Sequence, residues 1–167
     1  MADERSASEV QTDKAINEFE KELCSAELSD EIAIKEIPPS KLIKESNKTV
    51  KETIMSRLEP SIKVKISEIT VFLYVVRDMS PNDPYVILES TENKERVVVI
   101  VNMAHPHWKQ LNSQESIMNF LRHCTYDGVA EWKAYFKTGG LDPDTVKLIK
   151  DNLLRVPFII EQHEARA

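Results

Sequence analysis

The spacing of apolar residues over the first sixty positions predicts two helices. In residues 8–28 the apolar side chains recur every three or four positions, which is typical of an amphipathic helix. The prolines at 38–39 then interrupt the chain, because proline lacks an amide hydrogen and restricts the residue before it. Ser40 can cap a second helix, which Pro60 ends. The apolar stripes of the two helices are Val10, Ile16, Phe19 and Leu23, and then Val50, Ile54 and Leu58.

The pattern changes to alternation after Pro60, which predicts strands. Residues 62–76 begin with alternating apolar and polar positions and continue as a β-branched and aromatic run, which indicates one long or bent strand. Turn-forming residues at 80–84 lead to a second strand at 85–89. A polar loop then precedes the strand 96–102, the most apolar in the chain. Three sequential strands with short links predict an antiparallel meander.

Two further helices are predicted to close the chain. Asn112, with Glu115 three residues later, resembles the capping box that begins many helices. Gly139–Gly140 ends this helix, because glycine readily adopts the left-handed conformation of a helix end. Asp142 is the expected cap of the last helix, with Pro143 in its first turn, where a missing amide hydrogen costs nothing.

These elements predict an α+β fold, a three-stranded antiparallel meander with the two C-terminal helices packed on one face. The N-terminal helices would lie across that layer or reach another subunit. The chain divides into a disordered start (1–7), an N-terminal helical segment (8–60), an α+β core domain (61–160) and a tail (161–167). A meander leaves open edges that need a cover, so self-association as a homodimer is expected.

Composition removes several classes of protein. No apolar run among the 167 residues approaches the roughly 18 needed to span a bilayer, so no membrane segment is expected. Cys24 and Cys124 lie far apart in the chain and form neither a disulfide scaffold nor a CxxC metal pair. Residues 1–9 are acidic and polar, unlike a signal peptide. A cytoplasmic, reducing location is therefore expected.

The net charge of −6 is concentrated at the N-terminus. Residues 1–36 hold 11 acidic and 4 basic side chains, whereas the rest of the chain is close to neutral. A basic cluster follows, without the interleaved aromatic residues that nucleic-acid binding uses, so nucleic acid is not expected as a partner. We interpret this cluster as the solvent face of a helix. It consists of Lys41, Lys44, Lys48, Lys51 and Arg57.

The scarcity of glycine argues against a nucleotide site. The chain has only three glycines, and neither a P-loop nor a GxGxxG turn can be built from them. Phosphate sites need backbone that approaches closely or a cluster of N–H donors. We therefore expect that the chain neither binds nor hydrolyses ATP, and we expect no cofactor.

The polar segment that follows the third strand is the strongest candidate for a functional site, since such sites often lie on the loops at strand ends. Asn102 and His105 can hydrogen-bond the loop backbone, while Pro106 restricts it and Trp108 packs its ring on the sheet. In this interpretation the segment, with His107 included, is a structural or binding turn.

The alternative interpretation is a metal site. His105 and His107 have the spacing at which two imidazoles on one strand face can chelate a metal. His123 and Asp127, one helical turn apart on the next helix, could complete the ligand set.

Nucleophilic catalysis has little support. Cys124 falls on the apolar face of its helix, where a thiol is a small buried hydrophobe. Adjacent helical residues point about 100° apart, so Cys124 and His123 do not form a dyad. Gly128 on the same helix is expected to allow another element to approach closely.

The stretch from Arg96 to Trp108, a hydrophobic strand that runs into Asn-x-x-His-Pro-x-aromatic, resembles the C-terminal region of bacterial GHKL-type ATP-binding proteins. The matching residues are Asn102, His105, Pro106 and Trp108, and the next helix carries Ala130-Glu131-Trp132. The resemblance covers about residues 65–137, and the nucleotide-binding part of that superfamily has no counterpart in this sequence. It implies a non-catalytic module that pairs subunits or contacts a partner.

The function predicted from the sequence is therefore that of a non-enzymatic intracellular interaction or oligomerisation module, as part or partner of a larger ATPase system. One alternative is a small metal-binding protein or metal-dependent hydrolase that uses the His105/His107 turn. Another is a small acidic inhibitor or immunity-type protein that docks on a basic partner through residues 1–36.

Overall fold

The computed structural model describes residues 7–159, with the side chains of 26–36 outside that description. The predicted tail at 161–167 lies outside the described residues, and so does the predicted disordered start except Ala7, which opens the first helix. The chain divides into two compact units between Ser46 and Asn47.

Two helices precede the sheet, as the apolar spacing predicts. Helix α1 spans Ala7–Glu36 and is longer than the predicted segment 8–28, while α2 spans Ser40–Arg57. The break between them falls at the two prolines, where the amides of Leu42 and Ile43 bond back to the carbonyl of Pro39. Proline therefore ends α1 and opens the first turn of α2.

Within residues 7–159 the sheet has four strands, whereas the sequence pattern predicts three. They are β1 (Ile62–Ile66), β2 (Ile69–Val76), β3 (Val86–Glu89) and β4 (Arg96–Asn102), in the spatial order β1-β2-β4-β3. β1 pairs antiparallel with β2, and β3 with β4, but β2 and β4 are parallel. The α+β class is confirmed, and the antiparallel meander is wrong.

Two local causes explain the difference. The predicted long strand folds back at Ser67 and Glu68, where Ser67 has a φ of 55° in the left-handed region that tight two-residue hairpins use. The connection 77–85 then passes over the end of β4, so that β4 enters between β2 and β3. Neither event changes the apolar pattern of the strands.

The C-terminal helices are α3 (Gln114–Lys133) and α4 (Pro143–Leu154), with a π-helical turn at Ala134–Thr138 between them. The cap of α3 is Ser113, which forms a reciprocal capping box with Ser116, so the predicted Asn112 cap is wrong by one residue. Asp142 caps α4 as predicted, accepting from the amide of Thr145 at 3.1 Å.

The sheet buries both of its faces in the second unit. On one face, alternate residues of β2 and β4 pack against Cys124, Val129 and Trp132 of α3. On the other face, the sheet packs against Ile54 and its neighbours in α2. Val97 to Val101 are fully buried, which confirms that this is the most buried strand. None of the helices within residues 7–159 combines the length with the apolar character that a bilayer crossing requires.

Candidate functional site

The candidate site lies at the end of β4, beneath the connection that crosses it. Asn102 is only 1% exposed. Its Nδ2 donates to the carbonyls of Ser80 and Asp83 at 2.8 and 3.2 Å, and its Oδ1 accepts from the amide of Ala104 at 2.9 Å. One buried amide side chain therefore satisfies three backbone groups that neither strand nor helix could pair.

The backbone at the same point closes the sheet around the crossing. The amide of Asn102 donates to the carbonyl of Tyr85 at 3.1 Å, and the amide of Met103 donates to that of Val76 at 2.9 Å. The end of β4 is thus bonded to the start of β3 on one side and to the end of β2 on the other. Asn102 is the point at which these three strand ends are held together.

The histidine turn continues directly from this point. The amide of His105 donates to the carbonyl of Asn102 at 3.3 Å, and His105 Nδ1 accepts from the amide of His107 at 3.0 Å. The amide of Trp108 donates to the carbonyl of His105 at 3.0 Å and begins a single 3₁₀ turn, Trp108–Gln110. His105 therefore uses Nδ1 as an acceptor that shapes the loop, and in the neutral ring this assigns the N–H to Nε2.

Aromatic rings cover the turn on the α3 side, with Phe120 at their centre. The ring of Phe120 lies 5.3 Å from that of His107, 5.8 Å from Trp108 and 6.2 Å from Tyr85, measured between centroids. The Trp108 and Tyr85 contacts are edge-to-face, the geometry that aromatic pairs favour. Trp108 is half-buried and packs at the margin of the core.

The four metal-ligand candidates are not brought together. His107 and His123 are exposed, and Asp127 forms an ion pair with Lys150 at 2.8 Å. Among the side chains that the structure describes (residues 7–25 and 37–159), no three histidine, cysteine or acidic groups are placed as a metal site requires.

Cys124 is placed where its spacing predicts, on the buried face of α3. Burial raises the pKa of its thiol to about 11, with a smaller contribution from the charge of Asp127. Since the thiolate is the reactive form, this cysteine is a poor nucleophile at neutral pH.

A buried ionic cluster escaped the sequence analysis. Glu89 is 3% exposed, and its carboxylate accepts from Lys51 Nζ at 2.6 Å and from Arg96 Nε and Nη2 at 2.7 and 3.0 Å. Burial acts to raise the pKa of Glu89, but hydrogen bonds from Arg96 and Lys51 and their charges hold it below its ordinary value. The assignment of Lys51 to a solvent face is therefore wrong, because α2 turns this lysine toward the sheet.

The signal for this cluster was present in the sequence. Lys51 stands three residues before Ile54, on the helical stripe that Ile54 and Leu58 share. Glu89 lies two residues after Ile87 in strand β3, so their side chains share one face of the sheet. When the pattern assigns two oppositely charged residues to the same core, each is the expected partner of the other, because a buried charge needs a counter-charge.

The β3–β4 hairpin loop is attached to α3 by two side-chain bonds. Ser90 Oγ donates to Glu131 Oε2 at 2.9 Å, and Trp132 Nε1 donates to the carbonyl of Lys94 at 2.9 Å. Burial raises the pKa of Glu131, opposed by the Ser90 hydrogen bond and assisted by the charges of Asp127 and Glu92. Within the described part of the chain, every buried side-chain nitrogen or oxygen has a hydrogen-bond partner.

A cavity of about 260 Å³ opens between the β1–β2 turn and the two C-terminal helices. Its lining is mainly apolar, with Trp132 of α3, Ile149 of α4 and Ile66 of β1 among the residues. Lys133 and Lys137 lie at the same cavity, and Lys137 forms an ion pair with Glu68.

Comparison with known proteins adds no assignment, because no protein-family model, no curated protein and no solved structure matches this chain.

Proposed function

We propose that this chain is a non-enzymatic interaction module that self-associates through the apolar stripe of α1. The polar groups at the end of β4 support a non-enzymatic role, because the side chains of Asn102 and His105 are hydrogen-bonded to the loop backbone. The observation that carries the proposal is the exposure of Ile16, Phe19 and Leu23, which are 58, 55 and 56% exposed.

These three side chains lie on one side of the helix. At about 100° per residue, positions i, i+3 and i+7 fall within one narrow stripe. The 30 residues of α1 give a helix of about 45 Å, which is long enough for a helical pairing. Aligned apolar side chains on an exposed helix are typical of a surface that packs against another helix.

Acidic side chains beside the stripe define the conditions of association. Glu20 and Glu22 lie on opposite sides of the stripe, and both are exposed. Two copies bring such carboxylates near each other, and salt screens their repulsion. Association should therefore strengthen when the ionic strength rises.

Light scattering at micromolar concentration tests the proposal. The mass should approach twice 19.2 kDa, and more closely at high salt. Phe19→Glu should return the mass to that of one chain. Ser25→Glu makes the same charge change on the opposite side of α1 and should leave the dimer intact. A single-chain mass at every salt concentration would contradict the proposal.

The acidity of the N-terminal segment favours a second candidate, the small acidic inhibitor or immunity-type protein. In this case α1 docks on a basic protein, with Phe19 and Leu23 as apolar contacts and the flanking carboxylates as charged ones. Removal of residues 1–36 should then abolish binding to the basic partner and leave the melting of the second unit unchanged.

A place in a larger ATPase system rests on the resemblance of Asn102, His105, Pro106 and Trp108 to the C-terminal region of GHKL-type proteins. This proposal assigns nucleotide chemistry to another chain. Calorimetric titration of this protein with magnesium-ATP should therefore give no heat of binding, and micromolar affinity would contradict the assignment.

A further inference from the structure

We propose that the edge strand β1 binds an extended segment of another protein in which acidic and apolar residues alternate. The segment would pair with β1 and enlarge the sheet by one strand. This inference goes beyond self-association through α1, because it concerns a different partner and a surface of the second unit.

The direction of the main-chain groups in β2 follows from its neighbours. In a strand, the N–H and C=O groups of successive residues point alternately to its two sides. The amide of Thr70 donates to the carbonyl of Glu95, on the β4 side of β2, at 3.0 Å. The amide of Val75 donates to Ser61 Oγ, just before β1, at 3.0 Å. The odd-numbered residues of β2 therefore direct their main-chain groups toward β1.

The register then shows which side of β1 is open. The antiparallel pairs are Ile62 with Leu73, Val64 with Val71 and Ile66 with Ile69. The three apolar residues of β1 thus bond to β2, and the N–H and C=O groups of Lys63 and Lys65 point away from it. Within the described chain no strand pairs with that side. An added strand would meet two donors and two acceptors.

The two faces of β1 differ in chemistry. Directly opposed residues share a face, so Ile62, Val64 and Ile66 lie on the α3/α4 side of the sheet. They are 46, 48 and 42% exposed, and the cavity beside Ile66 continues the apolar surface. Lys63 and Lys65 lie on the other face, where Lys63 Nζ stands 5.6 Å from the ring centroid of Phe72.

Charge decides between a second copy and an acidic partner. The sequence Ile-Lys-Val-Lys-Ile reads the same in both directions, so an antiparallel second copy centred on Val64 would place Lys63 opposite Lys65. Like charges directly opposite each other destabilise a strand pair, and edge lysines are a common protection against such pairing. Glutamate or aspartate at those positions would instead attract, with apolar residues between them facing the α3/α4 side.

Binding of a short synthetic peptide that alternates valine and glutamate tests the inference, with fluorescence anisotropy of a dye on the peptide as the readout. A peptide of the same composition in two blocks is the control for charge alone. We expect the alternating peptide to bind at least about ten-fold more tightly than the block peptide. Equal binding of the two peptides would overturn strand addition.

Charge reversal provides the matched protein variants. The double variant Lys63→Glu with Lys65→Glu should no longer bind the valine–glutamate peptide and should bind a valine–lysine peptide instead. Lys44→Glu with Lys109→Glu makes the same change in net charge at exposed positions outside β1 and should bind as the parent does. Retained binding of the valine–glutamate peptide by the β1 variant would overturn the inference.

A backbone variant separates strand pairing from charge attraction. Lys65→Pro removes an outward N–H and no bond between β1 and β2, a position where edge strands tolerate proline. It should weaken peptide binding while the melting temperature stays near that of Lys65→Ala. Equal binding of the peptide to Lys65→Pro and Lys65→Ala would contradict the inference. So would a doubling of the protein's mass when the peptide is added, because one strand added to β1 leaves the number of protein chains unchanged. The dimer test on α1 is read separately, since Phe19→Glu leaves β1 unchanged.

Discussion

Lys51 Nζ lies 2.6 Å from Glu89 Oε1, and this buried ion pair joins helix α2 to strand β3. Removing two charges from water is costly, and the pair offsets that cost only because Arg96 supplies two further hydrogen bonds to the same carboxylate. Arg96 is partly exposed, so the cluster opens to solvent at one side.

Loss of Lys51 should therefore destabilise the protein strongly. Lys51→Ala leaves Glu89 buried with one cation, and we expect the free energy of unfolding to fall by about 2–4 kcal/mol. Lys48→Ala, on an exposed part of the same helix, should change it by less than about 0.5 kcal/mol. Urea denaturation measures both.

The double variant Lys51→Met with Glu89→Leu distinguishes an ion pair from a packing contact. It removes both buried charges together, so it should recover much of the stability lost in Lys51→Ala. If the double variant loses as much stability as Lys51→Met and Glu89→Leu lose in sum, the two charges do not act as a pair.

Substitution of Asn102 should lower the free energy of unfolding as strongly as substitution of Lys51 does, for a different reason. Asn102→Ala leaves the carbonyls of Ser80 and Asp83 and the amide of Ala104 without their partner, which should cost about 2–4 kcal/mol. Asn112→Ala, at an exposed position, is the matched control. A cost below about 1 kcal/mol would show that water replaces the side chain.

Glu131 predicts a stability change that depends on pH. Its pKa is raised above the ordinary value of 4.5, so the free energy of unfolding falls as the pH rises from 4.5 through the folded pKa, above which the penalty is complete. Glu131→Gln keeps an oxygen for Ser90 and should raise the free energy of unfolding at pH 7. The gain should vanish below pH 4.5, where the carboxyl is protonated in both states. Glu115→Gln, exposed on the same helix, should give no such gain.

Gly128 lies where α3 packs tightly against the sheet, in agreement with the close approach predicted for it. A Cβ there would lie 3.0 Å from Val97 Cγ1 and 3.4 Å from Leu88 Cδ2. Overpacking of about 1–3 kcal/mol should exceed the roughly 1 kcal/mol gained in helix propensity, so Gly128→Ala should lower the melting temperature. Gly140→Ala meets nothing within 4 Å and should not.

Substitutions in the histidine turn distinguish the structural interpretation of this turn from the metal-site interpretation. His107→Ala removes an exposed ring and should cost under about 1 kcal/mol. A chelator should leave the melting temperature unchanged. The metal interpretation expects both His105→Ala and His107→Ala to abolish bound zinc. Stoichiometric metal in protein purified without added zinc would contradict the structural interpretation.

Sequence pattern located most elements of this fold because burial repeats with the period of the helix or strand. It did not reveal the pairing of the strands. The fold-back at Ser67 depends on one backbone angle, and the position of β4 depends on contacts made by the connection that crosses it. Neither the fold-back nor the position of β4 can be predicted from apolar periodicity alone.

The candidate site shows the same division. Asn102 and His105 were identified because polar residues at the end of an apolar strand must satisfy the loop backbone. Glu89 and Lys51 are not identified by the pattern, because a charged residue is expected on the surface even where the period of its helix or strand places it in the core. The pattern places both at core positions, and 38 residues separate them in the chain.

The position of β4 has a consequence for how this protein folds. Strand β4, one of the two inner strands of the sheet, is the last of the four in the chain, and its two neighbours, β2 and β3, do not pair with each other. A nascent chain that ends before Arg96 therefore holds the β1–β2 hairpin and the separate strand β3, and neither can pair with the other across the missing strand. Folding must wait for residues 96–102 to insert between them, a non-local step of the kind that slows folding and exposes strand edges to aggregation during synthesis.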